Sequence, residues 1–158
     1  MARKKHIHEV LEGAATLGSQ EARRQHLKDN YSVALITVLK GGFDDSVQWS
    51  LPDGEPPYRK DDAPKGFEPN SLHRLSSKFG KYFLKGGHGE RLTAAKRESM
   101  FIEVLESLHP LEAELVLAMK DKKLTGRYKG VTLKLVQDTF PDLIKQVVVT
   151  KVKKEATK

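Results

Sequence analysis

The sequence predicts an all-α fold, a compact multi-helix domain interrupted by one long Pro/Gly-rich loop. Three observations lead there. Apolar residues recur at helical spacing, as in Leu72, Leu75, Phe79 and Phe83, the pattern of a helix that buries one face. These runs are bounded by helix caps and stops rather than by hairpin turns. Five of the seven prolines (Pro52, Pro56, Pro57, Pro64 and Pro69) fall within residues 43–70, so these helix breakers are concentrated in one stretch.

Taken in order, residues 7–16 and 20–29 predict two short helices separated by Leu17-Gly18-Ser19. Val10, Leu11, Ala14 and Ala15 give the first an apolar stripe, and Ser19 can cap the second. Asp29-Asn30 is a stop, after which Ser32 to Leu39 reads as an apolar helix ended by Gly41-Gly42. The loop of residues 43–70 follows, with at most short elements; a connector this long is usually functional or disordered. Leu72 opens a helix to residue 85, ended by Gly86-Gly87-His88-Gly89. Residues 93–108, started by Thr93, form the next, and Pro110 at a first helical position opens another to residue 120. A basic turn over residues 120–130 leads into a last helix, 132–139, stopped by Pro141. The segment Val147–Val152 reads either as a short strand or as a basic extension. The expected organisation is a basic tail (1–6), one helical domain (7–144) and a second basic tail (145–158).

Several classes of chemistry are excluded or left without support. The chain has no cysteine, hence no disulfide framework, zinc ribbon or thiol nucleophile. No stretch approaches the ~20 apolar residues of a membrane span, and the basic start Met1–His8 has no apolar segment behind it, so a cytoplasmic protein is expected. No phosphate-binding Gly-x-x-x-x-Gly-Lys-Ser/Thr loop occurs. His6-x-His8 has metal-ligand character, but without cysteine or a nearby carboxylate pair it reads as mobile N-terminal histidines. Asp44-Asp45 and Asp61-Asp62 read as solvated loop carboxylates rather than cation ligands. No cofactor, metal or catalytic residue is expected, and oligomeric state is left open.

Charge carries more information. The formal net charge is +7, and the two tails hold all of it: Arg3, Lys4 and Lys5 at one end, and five lysines against Glu155 at the other. The body between is neutral but segregated. Residues 72–97 hold seven bases against Glu90, and residues 120–134 hold six against Asp121. Residues 44–68 hold seven acids against three bases, and residues 98–119 hold five acids and neither Lys nor Arg. Blocks of like charge give a fold distinct positive and negative faces.

The basic blocks lie inside a longer pattern. Leu75-x-x-Lys78-Phe79, Leu92-Thr93-Ala94-Ala95-Lys96-Arg97-Glu98, Lys122-Lys123-Leu124, Lys129-Gly130-Val131-Thr132 and Phe140-Pro141 follow one another in this order. Together with Ile7-His-Glu-Val and Leu17-Gly18-Ser19, this resembles the N-terminal DNA-binding domain of ATP-dependent DNA ligases, in its T-even phage form, over roughly residues 7–144. The chain is also similar to small proteins of T-even-like tailed phages and cyanophages that share Lys-Asp-Lys-Lys-Leu and Tyr-Lys-Gly-x-Thr. The resemblance implies an all-helical module that grips duplex DNA by its phosphates, in the host cytoplasm if the chain is phage-encoded. It implies contacts at Thr93, Lys96, Gly130 and Thr132. No Lys-x-Asp-Gly nucleotidylation motif is present, so the chain is not a ligase.

Charge and helix spacing alone add Arg74, Lys78, Lys81, Lys85, Lys122, Lys123 and Arg127. Arg97, Lys129 and Lys134 flank the two helix starts. Few aromatics interleave these cations, which argues against a platform for stacking single-stranded bases. Phosphate contacts carry no sequence information, so the expected partner is duplex DNA of any sequence. The competing expectation is a phage factor that docks on a host or phage enzyme through residues 98–119 or the Pro-rich loop; a virion component is a third.

Overall fold

Residues 5–60 and 70–144 are described by a computed structural model of the chain, and helices dominate them. They are α1 (Ile7–Thr16), α2 (Gln20–Asp29), α3 (Val33–Phe43), α4 (Leu72–Tyr82), a 3-10 turn (His88–Arg91), α5 (Ala94–Ser107), α6 (Pro110–Lys120), α7 (Leu124–Arg127) and α8 (Leu133–Thr139). Among the described residues there is no strand, only an isolated antiparallel bridge between Trp49 and Leu84. None of these helices is long and apolar enough to cross a membrane.

The helix starts follow from local chemistry. The hydroxyls of Ser19, Ser32, Thr93 and Thr132 each accept from the backbone N–H three residues on, satisfying a donor that the helix itself leaves orphaned. Pro110 supplies the fixed φ of a first helical position, and the His109 ring accepts from Leu111 N–H.

One hydrophobic cluster, from Ile7 to Ile144, joins the helices. Its centre holds Phe79, Phe83, Leu35, Leu39, Leu105 and Met119, all essentially inaccessible. Each such side chain contributes roughly 1.5–3 kcal/mol by leaving water. Helix α3 packs between α4 and α6, α5 packs on α6, and α1 and α8 both pack on α2. Helix α2 is the most superficial, burying only Leu27.

Several expectations are corrected, the solvated Asp44 among them. Helix α3 does not stop before Gly41-Gly42 but runs through both. A Cβ at Gly42 would stand 2.2 Å from the Leu124 side chain, and one at Gly41 3.1 Å from the Met119 sulfur. These glycines admit α6 and α7 at close range instead of ending the helix. Helix α4 ends at Tyr82, not at residue 85, because the next residues pair with the loop: Ser50 N–H donates to Phe83 and Lys85 N–H to Gln48. The basic turn at 120–130 contains the short helix α7. His6 and His8 are not mobile: they are 7% and 2% exposed.

Those histidines join His109 in a stack. The His8 and His109 rings lie 5.1 Å apart and the His6 and His8 rings 5.7 Å apart. Among the described residues no group of three His, Asp or Glu is placed to hold a metal ion. Of the loop carboxylates, Asp44 is buried and accepts from the Ser46 N–H and hydroxyl. Burial pushes its pKa up, but these hydrogen bonds, with Lys40 and Lys122 nearby, hold it below the usual carboxylate value. Asp45 is exposed. Asp61-Asp62 and Val147–Val152 lie outside the described residues.

The Pro/Gly-rich loop is tied down at separate points. Gly54 N–H donates to Asp121, Lys120 Nζ donates to Pro52 O at 2.7 Å, and Arg59 N–H donates to Glu106 at 2.8 Å.

Candidate nucleic-acid interface

Helix α4 has two chemically distinct sides because its residues alternate at helical spacing. Leu72, Leu75, Ser76 and Phe79 are buried, while Arg74, Lys78 and Lys81, spaced i, i+4, i+7, are exposed. Lys85 continues the row past the helix end and is also exposed. Among the described residues none of these four cations makes an ion pair; Lys81 lies over the Tyr82 ring at 5.4 Å. A row of like charges without ion-pair partners gives this side of the helix a positive surface.

The row leads to the start of α5. The 3-10 turn packs on α4 and brings exposed Arg91 between Lys85 and Thr93. An open groove of about 450 Å³ is lined by both Lys85 and Ala94, the first residue of α5, so the two share one surface. Glu90 and Glu98 also line it, which makes its walls mixed in sign. Lys96 stands exposed in the first turn of α5 without an ion pair among the described residues. Arg91 was not singled out from the sequence; its membership of the basic block was the signal available.

Arg97, expected beside Lys96 on the same face, points inward. Its guanidinium donates to the carbonyls of Ser50 (2.8 Å), Gly89 (2.9 Å) and Leu92 (3.1 Å), so it ties the loop and the 3-10 turn to α5. The planar fork of arginine can reach three such acceptors at once.

In the second basic block three of the expected cations have partners in the chain. Lys122 Nζ donates to the carbonyls of Gly41 (2.7 Å), Asp44 (3.0 Å) and Val47 (2.9 Å), closing the C-terminus of α3. Desolvation lowers its pKa, partly offset by Asp45 and Asp44. Arg127 pairs with Glu114 at 2.9 Å and Lys134 with Asp138 at 3.4 Å. Lys123 and Lys129 are exposed without an ion pair among the described residues.

Gly130 has φ +88°, a left-handed conformation that glycine adopts without strain. A Cβ there would meet the Arg23 guanidinium carbon at 2.6 Å, so only glycine lets Arg23 pack against this turn. Thr132 caps α8. That helix packs on α2 and α5 packs on α6; the two expected helix starts are thus positioned by different helix pairs.

A family of unknown function, DUF6433, matches residues 10–126. The chain belongs to this family. No curated protein matches the chain. The DUF6433 segment takes in the whole α4–α5 cation surface and ends within α7, leaving Lys129, Gly130, Thr132 and Lys134 beyond it.

Proposed function

We propose that this DUF6433 protein is a non-catalytic module that binds duplex DNA through its phosphates without reading sequence. The α4–α5 surface, Arg74, Lys78, Lys81, Lys85, Arg91 and Lys96, is the part of the protein that makes the contact. The carrying observation is that these cations are exposed and none has an ion-pair partner among the described residues. Of their counterparts in the second block, Lys122 donates to three carbonyls of the chain, and Arg127 and Lys134 each pair with a carboxylate. The resemblance of the ordered motifs to the ligase DNA-binding domain is in line with this reading, in which Thr93 and Lys96 would meet a phosphate. Lys123 and Lys129 are secondary contacts, and the basic tails add nonspecific attraction.

The alternative of a protein partner docking on the acidic stretch has less surface to work with. Glu112 is fully buried and Glu114 pairs with Arg127.

The test is the salt dependence of duplex binding. Each phosphate contact contributes about 0.9 to the slope of log affinity against log salt. Replacing Arg74, Lys78, Lys81 and Lys85 by glutamine together should weaken binding to every duplex and reduce the slope by roughly 3–4. An unchanged slope in the folded quadruple variant rejects this surface.

A further inference from the structure

Three imidazoles meet where the first helix begins. His8 lies in the first turn of α1 and His109 caps α6. Their rings stand 5.1 Å apart, with His6 5.7 Å from His8. Neither member of the close pair can take a second proton and keep its present contacts. His8 Nδ1–H donates to Glu12 at 3.1 Å, and its Nε2 is buried without a hydrogen-bond partner among the described residues. A proton on Nε2 makes a buried donor with no acceptor. His109 Nδ1 accepts from Leu111 N–H, so a proton on that nitrogen removes the cap of α6. Both rings also sit at the positive ends of helices, which disfavours a cation there.

The surrounding charges do not reverse this. Glu12 and Glu9 of α1 draw a proton toward His8, but burial and His109 outweigh them. On α6, Glu112 stands 3.5 Å from the His6 ring, so a charge on His6 favours the closed form and His8 and His109 must drive any release. From α4, the His73 ring donates to the Lys5 carbonyl at 2.8 Å, which an imidazole does in either protonation state. From α2, His26 and Arg23 donate to the Val10 and Ala14 carbonyls, farther along α1. Beyond α7, burial raises the Tyr128 pKa to about 12, so that phenol stays neutral.

The anchors of this segment divide at Val10. Before it, His73 holds the Lys5 carbonyl and Glu112 holds the Ile7 N–H. From Val10 onward, His26, Arg23 and the buried side chains of Val10, Leu11 and Ala14 hold the helix. We propose that residues 5–9 are an acid-released latch. A proton taken up by the His8–His109 pair lifts the first turn of α1 from the starts of α4 and α6, while α1 from Val10 onward stays docked. Release uncovers Ile7, which is inaccessible in the closed form. The latch does not depend on the DNA-binding reading.

The chain has no cysteine and one tryptophan, so one label and one internal reporter separate local from global opening. Lys5 is exposed; the full chain carrying Lys5→Cys is labelled there with a fluorophore. Label anisotropy is followed from pH 7.5 to 5 beside Trp49 emission. Anisotropy should be constant above the ordinary histidine value near 6.5 and fall below it, while Trp49 emission holds. For one proton taken up, the opening constant rises by up to about tenfold per pH unit. His8→Gln, which takes up no proton, should abolish the fall. His109→Asn, which keeps a cap acceptor without a charge, should reduce it, and it serves alone if His8→Gln does not fold. The proposal is overturned by a flat anisotropy profile in the unsubstituted background. It is equally overturned if Trp49 emission changes over the same pH range as the label, which would make the event global unfolding. A profile unchanged in His8→Gln or in His109→Asn also overturns it, since other groups would then drive the release.

Discussion

The side chain of Glu112, in the first turn of α6, accepts a hydrogen bond from the backbone N–H of Leu72, the first residue of α4, at 3.2 Å. Its other oxygen accepts from Ile7 N–H, the first residue of α1, at 3.1 Å. One buried carboxylate therefore holds the positive ends of two helices against the start of a third. Replacing Glu112 by Ala removes an acceptor that water cannot replace and strands both donors. The expected loss is about 3–5 kcal/mol, measured by urea unfolding. Glu112→Gln, which keeps one acceptor, should lose less. Two variants of wild-type stability would show that the helix starts are held by other contacts.

The histidine stack beside that carboxylate makes stability depend on pH. Burial is the main reason that the His8 pKa is lowered; the adjacent His109 lowers it further, while Glu12, hydrogen-bonded at 3.1 Å, and Glu9 pull it back up. A depressed imidazole pKa means that the unfolded chain takes up the proton first. Stability is then full above the ordinary value near 6.5 and declines as pH falls through the lowered one. Stability measured from pH 7.5 to 5 should fall, with His8 contributing at most about 1.4 kcal/mol per pH unit. In His8→Leu the decline should be shallower. A profile of equal steepness in that variant would assign the effect to other groups.

Lys122 illustrates a cation whose role is internal. It adopts φ 60°, and its ammonium donates to three carbonyls at the end of α3 and in the loop that follows. Lys122→Met should lower stability by roughly 1–3 kcal/mol through the acceptors left open, and leave the salt slope of duplex binding unchanged. A reduced slope with unchanged stability would place Lys122 on the DNA surface instead.

Helix positions were legible where the signal is local. Ser19, Thr93, Pro110 and Thr132 mark helix starts in the sequence, and each stands at one in the structure. What failed was decided by tertiary contact. Gly41-Gly42 reads as a stop, but glycine is required there by Leu124 and Met119, about 80 residues away in the chain. Helix α7 is four residues long, too short to show a period. His6 and His8 meet His109 across a hundred residues, and no spacing rule encodes that encounter. The fate of each basic side chain was equally hidden, since of the exposed neighbours Lys122 and Lys123 only Lys122 donates to carbonyls of the chain.

The same contrast within one pair gives the sharpest test of the interface. Lys96 and Arg97 are adjacent in the first turn of α5, both basic and both expected at DNA. In the structure Lys96 is exposed, while Arg97 is half-buried and donates to three carbonyls. Lys96→Gln should therefore change stability by no more than about 0.5 kcal/mol, as surface substitutions do, and reduce the salt slope of duplex binding by about 0.9. Arg97→Gln should do the reverse. Leaving the Ser50, Gly89 and Leu92 carbonyls short of a donor costs roughly 1–3 kcal/mol, and the slope of the protein that remains folded should not change. Arg97→Lys should not rescue it, because an ammonium cannot span three carbonyls as a planar guanidinium does. Unfolding curves and salt titrations of the same three variants separate the two roles. Equal effects of Lys96→Gln and Arg97→Gln on the slope would mean that Arg97 leaves its carbonyls to meet a phosphate, and the inward-facing role assigned to it here would fall.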